Sequence, residues 1–152
     1  RQPVRIVIDT HLEIPNRSRI LETVHKGPVW IVCATGQGVE KKEYLAEKGV
    51  DIIEVDLDKN GSIDLADLSV ILAGRGLTRI LIEAGMRLNG AFLRSGLVDR
   101  LLWFRSASIL GDDAYASAGP LGIEHLRDIY RLSRTEIIPL GPDLLEIYKR
   151  PA

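Results

Sequence analysis

The residues from 79 to 93 place a carboxylate, a glycine and a helical pattern in an order that suits phosphate binding. The apolar run Ile80–Ile82 ends at Glu83, Gly85 follows two residues later, and apolar residues then recur at helical spacing. A strand, a glycine turn and a helix together bring backbone N–H groups close to a phosphate. A side chain at Gly85 would hinder that approach. The pattern predicts a nucleotide-phosphate site with Glu83 at its rim, although many such turns bind nothing.

Asp9 and Thr10 are a second group of candidates, because they follow the predicted strand Val4–Ile8. If the strands are parallel, these two residues and Glu83 lie at the same edge of the sheet, where open α/β sheets bind their ligands. The Thr10 hydroxyl is then placed to contact a ribose or a phosphate. A turn-capping role explains the pair equally well.

The segment Asp56–Asp67 fits much of the calcium-binding EF-hand template. Oxygen-bearing residues occupy loop positions one, three, five and nine, and Gly61 occupies position six. Position twelve is Asp67 rather than the longer glutamate, and the preceding residues are typical of a strand rather than of an entering helix. The alternative is a turn at Asn60 and Gly61, followed by a helix that Asp64 caps.

The other reactive side chains indicate little chemistry. The single cysteine, Cys33, lies in an apolar run and is expected to be a small core residue. The three histidines have no metal-ligand spacing, so we expect no metal site. A full G-x-G-x-x-G motif is lacking, which disfavours an ordinary Rossmann domain.

Composition limits the class of protein. The chain has 152 residues, 45% of them hydrophobic and 27% charged, which is typical of one globular domain with a core. The formal net charge of -1 does not favour electrostatic binding to nucleic acid or to an anionic membrane. No apolar run reaches the roughly 18 residues of a transmembrane helix, and no signal peptide is visible, so a cytoplasmic location is expected.

Strand and helix patterns alternate over the first two thirds of the chain. Strands are predicted at Val4–Ile8, Pro28–Cys33, Val50–Val55 and Leu77–Ile82, and helices at Val39–Lys48, Leu65–Ala73 and Leu88–Arg94. The last third is strand-like at Val98–Ala107, Asp128–Ile138 and Leu144–Tyr148. This order predicts a single α/β domain with a mainly parallel sheet, helices on both faces and a C-terminal antiparallel ribbon.

In several short sequence motifs, the chain resembles the reductase domain of the bifunctional riboflavin-biosynthesis deaminase–reductase family. The resemblance runs over nearly the whole chain. Its landmarks are Arg5–Thr10, Ile82–Gly85, the Leu-x-x-Gly-Leu-Val-Asp run at 93–99, Ile109–Gly111 and the closing hairpin at 141–144. The resemblance implies a dihydrofolate-reductase-like, three-layer α/β sandwich.

The resemblance also implies an activity and a set of site residues. The family reduces the ribosylamino group of 5-amino-6-(5-phosphoribosylamino)uracil to a ribitylamino group with NADPH. Glu83 resembles the family's substrate-contacting glutamate, and Thr10 matches a position that contacts NADPH. The family's cofactor phosphate loop matches Gly85, Met86, Arg87, Leu88, Asn89, Gly90 and Ala91. A homodimer is expected by the same resemblance.

The chain departs from the family pattern in ways that affect these expectations. The family often has two glycines after the glutamate, or Ala-Gly-Pro, where this chain has Ala84, Gly85 and Met86, and Met86 adds bulk beside the phosphate. The deaminase domain and the first strand of the reductase domain have no counterpart, so residues 1–152 are expected to be a reductase domain without them. Two other functions stay open: a related dihydrofolate-reductase-like reductase with another substrate, and a non-enzymatic calcium-binding module at Asp56–Asp67.

Overall fold

The computed structural model describes residues 2–151, apart from the side chain of Asp112. The chain divides into two compact units, Arg1–Thr78 and Arg79–Ala152, and each is described by itself.

The first unit contains a parallel sheet of three strands with helices on both faces. Strands β1 (Arg5–Ile8), β2 (Val29–Ala34) and β3 (Asp51–Val55) lie in the order β1-β2-β3. Helices α1 (Arg19–Glu22), α2 (Val39–Glu47) and α3 (Leu65–Gly74) alternate with them, and a short 3-10 turn covers Val24–Lys26. In register, Val7 pairs with Ile31 and Ile31 pairs with Ile52.

The two faces of strand β2 supply two separate cores. Every residue of this strand is buried, because it is the central strand and has helices above and below it. On one face, Trp30, Val32 and Ala34 pack with Leu68 and Leu72 of α3. The opposite face carries Val29, Ile31 and Cys33, which pack with Leu21 of α1 and Leu45 of α2. The first unit is therefore a three-layer α/β/α arrangement, as the alternating pattern predicts.

The second unit combines one helix with an antiparallel sheet. Helix α4 spans Met86–Ser95, and strands β4 (Arg100–Arg105), β5 (Ser133–Leu140) and β6 (Asp143–Lys149) lie in the order β4-β6-β5. Short 3-10 turns occur at Gly111–Asp113 and Leu126–Asp128. The antiparallel C-terminal ribbon is thus confirmed, although β5 begins five residues later than the predicted strand Asp128–Ile138.

A buried carboxylate lies in the centre of this antiparallel sheet. Glu146 on β6 is 5% exposed. Its carboxylate accepts a hydrogen bond from Arg134 on β5 at 3.0 Å and lies 3.6 Å from the guanidinium of Arg105 on β4. Each cation comes from a neighbouring strand, so the ion pairs tie the three strands together across one face.

The predicted strand Leu77–Ile82 is wrong. Residues 77–85 form no strand, and the side chains of Ile80 and Leu81 are 45% and 69% exposed. The Leu77 N–H instead donates to the Leu72 carbonyl at 3.1 Å, at the end of α3. A strand requires a neighbour for its backbone groups, which an apolar run cannot reveal. The described residues supply no such neighbour to this segment.

No helix within the described range 2–151 is both long and apolar enough to span a membrane.

Candidate functional site

The glycine turn predicted at Gly85 forms the N-terminus of helix α4. Gly85 is the N-cap residue in an extended conformation, with φ -73° and ψ 171°. The Asn89 N–H donates to the Gly85 carbonyl at 3.1 Å. The N–H groups of residues 86–88 precede this bond and have no partner within the helix. They form the positive end of the helix dipole, which favours an anion by about 0.3–1 kcal/mol.

Open space surrounds Gly85. A Cβ atom built on Gly85 meets no atom within 4 Å, and the residue is exposed. Neither packing nor backbone conformation requires a glycine at this position. The open space above the turn is what a phosphate needs in order to reach the backbone amides.

Gly90 differs from Gly85, because packing explains it. A Cβ atom on Gly90 would lie 3.0 Å from the Gly119 nitrogen and 3.1 Å from the Gly119 oxygen. The Gly119 N–H donates to the Met86 carbonyl at 2.7 Å. Residues 117–119 therefore cross directly over the first turns of α4, where a side chain at position 90 would not fit.

The other predicted residues of the second unit lie along the same turn and helix. Glu83 and Arg87 are exposed, whereas Met86, Leu88, Asn89 and Ala91 are half-buried. The prediction that Glu83 ends a parallel strand is wrong, since residues 77–85 form no strand. Glu83 instead lies two residues before the N-cap of α4, in an irregular segment.

Thr10 lies in the first unit, directly after strand β1. Its carbonyl accepts a hydrogen bond from the Ala34 N–H at 3.0 Å. The neighbouring Asp9 carboxylate accepts from the Glu13 N–H at 2.9 Å and from the Ile14 N–H at 2.8 Å. Asp9 therefore caps the turn after β1, as one of the two interpretations of this pair predicts, and Thr10 is half-buried beside it.

A cleft at the carboxyl ends of β2 and β3 combines Thr35 and Glu54 with the two end residues of the predicted calcium loop, Asp56 and Asp67. Thr35, Glu54, Asp56 and Asp67 supply its polar lining. The Thr35 hydroxyl donates to the Asp56 carboxylate at 2.7 Å. Ligands of parallel sheets bind at this edge. The sequence pattern singles out Asp56 and Asp67 of this lining as loop positions one and twelve, but gives no signal for Glu54 beside them.

Glu54 in this cleft is held in its charged form by two contacts. Its carboxylate lies 3.0 Å from the Lys42 ammonium and accepts from the Gly36 N–H at 3.1 Å. The hydrogen bond from Lys42, followed by the one from Gly36, lowers the pKa of the Glu54 carboxyl below its usual value. The Lys42 ammonium is therefore already paired with a carboxylate of the protein. The neighbouring Lys41 ammonium also has a partner, since it donates a hydrogen bond to the Ile14 carbonyl at 2.7 Å.

The calcium-like segment is organised by hydrogen bonds to its own backbone. The Asp58 carboxylate accepts from the N–H groups of Asn60 and Ser62 at 2.8 and 2.9 Å. Asp64 is the N-cap of α3 and accepts from the N–H groups of Ala66 and Asp67. Strand β3 precedes the segment, so the helix–loop–helix of an EF-hand is not formed. Within the described residues, no three acidic, histidine or cysteine side chains group as metal ligands.

Comparison with solved structures defines the fold class. A RibD structure from Acinetobacter baumannii matches 97% of this chain with a TM-score of 0.77 at 24% identity, and the match covers 37% of that protein. RibD reductase structures have a dihydrofolate-reductase-like fold, so the predicted fold class is confirmed.

Comparison of sequences identifies the family. The family model described as the RibD C-terminal domain matches residues 1–145, and the chain belongs to this family. The riboflavin biosynthesis protein RibD of Bacillus amyloliquefaciens is 30% identical over 145 residues, which are 95% of this chain and 38% of that protein. The 5-amino-6-(5-phosphoribosylamino)uracil reductase of Buchnera aphidicola is 28% identical over 95% of this chain and 66% of its own length. The chain thus spans under two fifths of the RibD protein and about two thirds of the reductase.

Proposed function

We propose that the chain is part of an NADPH-dependent oxidoreductase that reduces 5-amino-6-(5-phosphoribosylamino)uracil to the ribitylamino product in riboflavin biosynthesis. The family match over residues 1–145 carries this proposal. It is supported by the reductase name of the relative from Buchnera aphidicola, which the chain matches over 95% of its residues.

The cofactor-binding part of the proposal rests on the N-terminus of helix α4. NADPH carries a pyrophosphate, and the residues from Gly85 to Ala91 are proposed to receive it beside the backbone amides of the first turn. Thr10, in the first unit, is proposed as a further cofactor contact. The cofactor supplies the hydride, and the protein supplies orientation and electrostatics.

Glu83 is the residue proposed to contact the substrate. It is exposed and lies two residues before the phosphate turn. A carboxylate can accept hydrogen bonds from the hydroxyls and the amine of a ring-opened sugar. We propose that Glu83 orients or polarises this part of the substrate, so that its removal affects turnover more than cofactor binding.

The variant Glu83→Gln tests this role, because glutamine keeps the size of the side chain and removes its charge. Turnover is expected to fall by about 100-fold, the lower range for loss of a positioned polar group in catalysis. The affinity for NADPH is expected to stay within about twofold, well under the tenfold change that corresponds to 1.4 kcal/mol. NADPH oxidation followed at 340 nm measures turnover, and calorimetry measures affinity.

Two forms of the protein belong in this assay: the chain itself and a version extended upstream in the natural sequence. Turnover of the phosphoribosylaminouracil by either form, with a loss in Glu83→Gln, is the expected result. Equal turnover in the variant contradicts the role of Glu83. Turnover of other pyrimidine or pterin substrates only would contradict the proposed substrate.

The organisation of the natural protein is also part of the proposal. We propose that residues 1–152 belong to a reductase domain of a longer chain and that this domain forms a homodimer in the cytoplasm. The support for a longer chain is that the matched segment covers 66% of the reductase from Buchnera aphidicola and 38% of the RibD protein from Bacillus amyloliquefaciens. The homodimer is proposed from the family resemblance.

A further inference from the structure

The side chain of Asn89 joins two segments of the second unit. Asn89 lies on α4, one turn after the N-cap Gly85. Its amide nitrogen donates to the Ala84 carbonyl at 3.0 Å and to the Ser117 carbonyl at 2.9 Å. An asparagine amide carries two N–H donors, so both are used within the protein.

The segment that Asn89 contacts is itself held against the helix. Gly119 is buried, its N–H donates to the Met86 carbonyl at 2.7 Å, and its backbone lies against Gly90. Residues 117–119 thus have a fixed position on the first turns of α4. Asn89 uses this fixed segment as one anchor and the turn at Ala84 as the other.

This arrangement limits what Asn89 can do toward a ligand. A phosphate oxygen only accepts hydrogen bonds at neutral pH, and the remaining polar atom of the Asn89 side chain is an acceptor. To donate to a phosphate, Asn89 would have to release one of its two carbonyl partners, at the cost of leaving that group unpaired.

We propose that Asn89 is a positioning residue that fixes the Ala84–Met86 turn for phosphate binding and does not itself bind the phosphate. The inference rests on the proposed function, because it assumes that this turn receives the pyrophosphate of NADPH. The bond to Ala84 determines where the following residue, Gly85, and the first-turn amides point. The bond to Ser117 holds the Asn89 side chain in the orientation that this requires.

The variant Asn89→Asp is the most direct test. Aspartate has the same shape, but its ionised carboxylate cannot donate to either carbonyl and is repelled by both. The dissociation constant for NADPH is expected to rise at least about tenfold, because two hydrogen bonds that orient the turn are lost and the new carboxylate adds a negative charge near the phosphate. In Asn89→Gln, which keeps both donors on a longer side chain, part of the affinity is expected to return.

Asn60→Asp is the matched control. It makes the same chemical change at an exposed asparagine in the turn between β3 and α3 of the first unit. Its NADPH affinity is expected to equal that of the unchanged chain.

Hydrogen exchange separates positioning from a general loss of structure. In Asn89→Asp, the amides of residues 89 and 119, which donate to the carbonyls of Gly85 and Met86, are expected to exchange faster, whereas those of strands β4 and β6 keep their protection. Uniformly faster exchange throughout the second unit would mean a purely structural role and would overturn the inference.

The outcomes of the titration also separate this inference from the proposed function. Equal NADPH affinity in Asn89→Asp and the unchanged chain overturns the positioning role and leaves the proposed function intact. Lack of NADPH binding by both the unchanged chain and its upstream-extended form overturns both. If Asn89→Asp does not fold, Asn89→Gln is compared with the unchanged chain. The inference then requires a weaker affinity for NADPH and faster exchange that is confined to the amides of residues 89 and 119.

Discussion

At the scale of single residues, Cys33 shows how position determines reactivity. It lies on the central strand β2 with no exposed surface. Burial, followed by the nearby charge of Glu54, raises the pKa of the Cys33 thiol above its usual value. The thiolate is the reactive form of cysteine. The raised pKa and the burial therefore both lower the reactivity of Cys33.

Cys33 is therefore expected to resist thiol reagents in the folded protein. With Ellman's reagent at pH 8, we expect less than about a tenth of the thiol to react within an hour, because reaction requires unfolding of the core. In 6 M guanidinium chloride, the same sample is expected to react fully, which serves as the control. Full reaction of the native protein within minutes would contradict the described core.

Residues of the candidate site differ in how far the sequence could predict them. Glu83 and Gly85 stand out locally, because a carboxylate and a glycine interrupt an apolar pattern. The role of Asn89 depends on Ser117, which lies 28 residues away in sequence. A hydrogen bond from a side chain to a distant carbonyl depends on the path of the folded backbone, which no local pattern contains.

At the scale of elements, the loop between β3 and α3 is held by the carboxylate of Asp58. Hydrogen bonds from the N–H groups of Ser62 and Asn60 lower the pKa of this carboxyl below its usual value. A carboxyl with a lowered pKa in the folded state adds stability at pH values above its unfolded pKa. That stability is lost as the pH falls through the folded pKa.

The variant Asp58→Asn tests this role and the calcium alternative together. At pH 7 in the presence of EDTA, we expect its thermal midpoint to lie below that of the unchanged chain, because asparagine is a weaker acceptor for the two N–H groups. The difference is expected to shrink as the pH falls from the ordinary pKa of an aspartate, about 3.9, through the lower pKa of Asp58 in the folded state.

Millimolar calcium provides the second arm of this experiment. Neither protein is expected to be stabilised, since a ligand raises the thermal midpoint only if it binds the folded state. A calcium-dependent rise in the unchanged chain that is lost in Asp58→Asn would support the calcium-binding alternative. Under that alternative, Asn60→Asp, which adds a carboxylate at loop position five, would be stabilised by calcium at least as much as the unchanged chain.

The elements themselves were predictable where burial or periodicity determined them. Helix α2 begins at the predicted Val39, and α3 begins at the predicted Leu65. Strand β2 reads as an apolar run because both its faces are covered. The segment Leu77–Ile82 ends in the apolar run Ile80–Ile82 but forms no strand, since strand formation depends on a neighbour with which to pair. The short helix α1 was missed, because its four residues are too few for a periodic pattern.

At the scale of the whole molecule, the two units have different architectures. The first unit is a parallel sheet covered on both faces, and the second is a helix with an antiparallel sheet. The family model runs across both, from residue 1 to residue 145. The order of parallel and antiparallel parts was predictable from the sequence. A helix between two strands allows the chain to cross back and form a parallel pair, whereas strands that follow one another without a helix tend to pair in antiparallel fashion.

The central claim is that the turn at Gly85 binds the phosphates of a nicotinamide cofactor. Gly85→Ala tests it with little effect on folding, because the added Cβ meets no atom within 4 Å. The expected loss of stability is about 1 kcal/mol or less, the cost of alanine at an N-cap. Gly74→Ala is the matched control, since the Cβ at this last residue of α3 also meets no atom within 4 Å.

Calorimetric titration of these three proteins with NADPH is the measurement that tests the claim most directly. We expect saturable binding by the unchanged chain and by Gly74→Ala, and an affinity at least about tenfold weaker in Gly85→Ala, because the methyl group keeps the phosphate from the first-turn amides. The same series with NADH shows whether the 2′-phosphate contributes. Equal affinity of all three proteins, or no binding by the unchanged chain and by its upstream-extended form, would contradict the account.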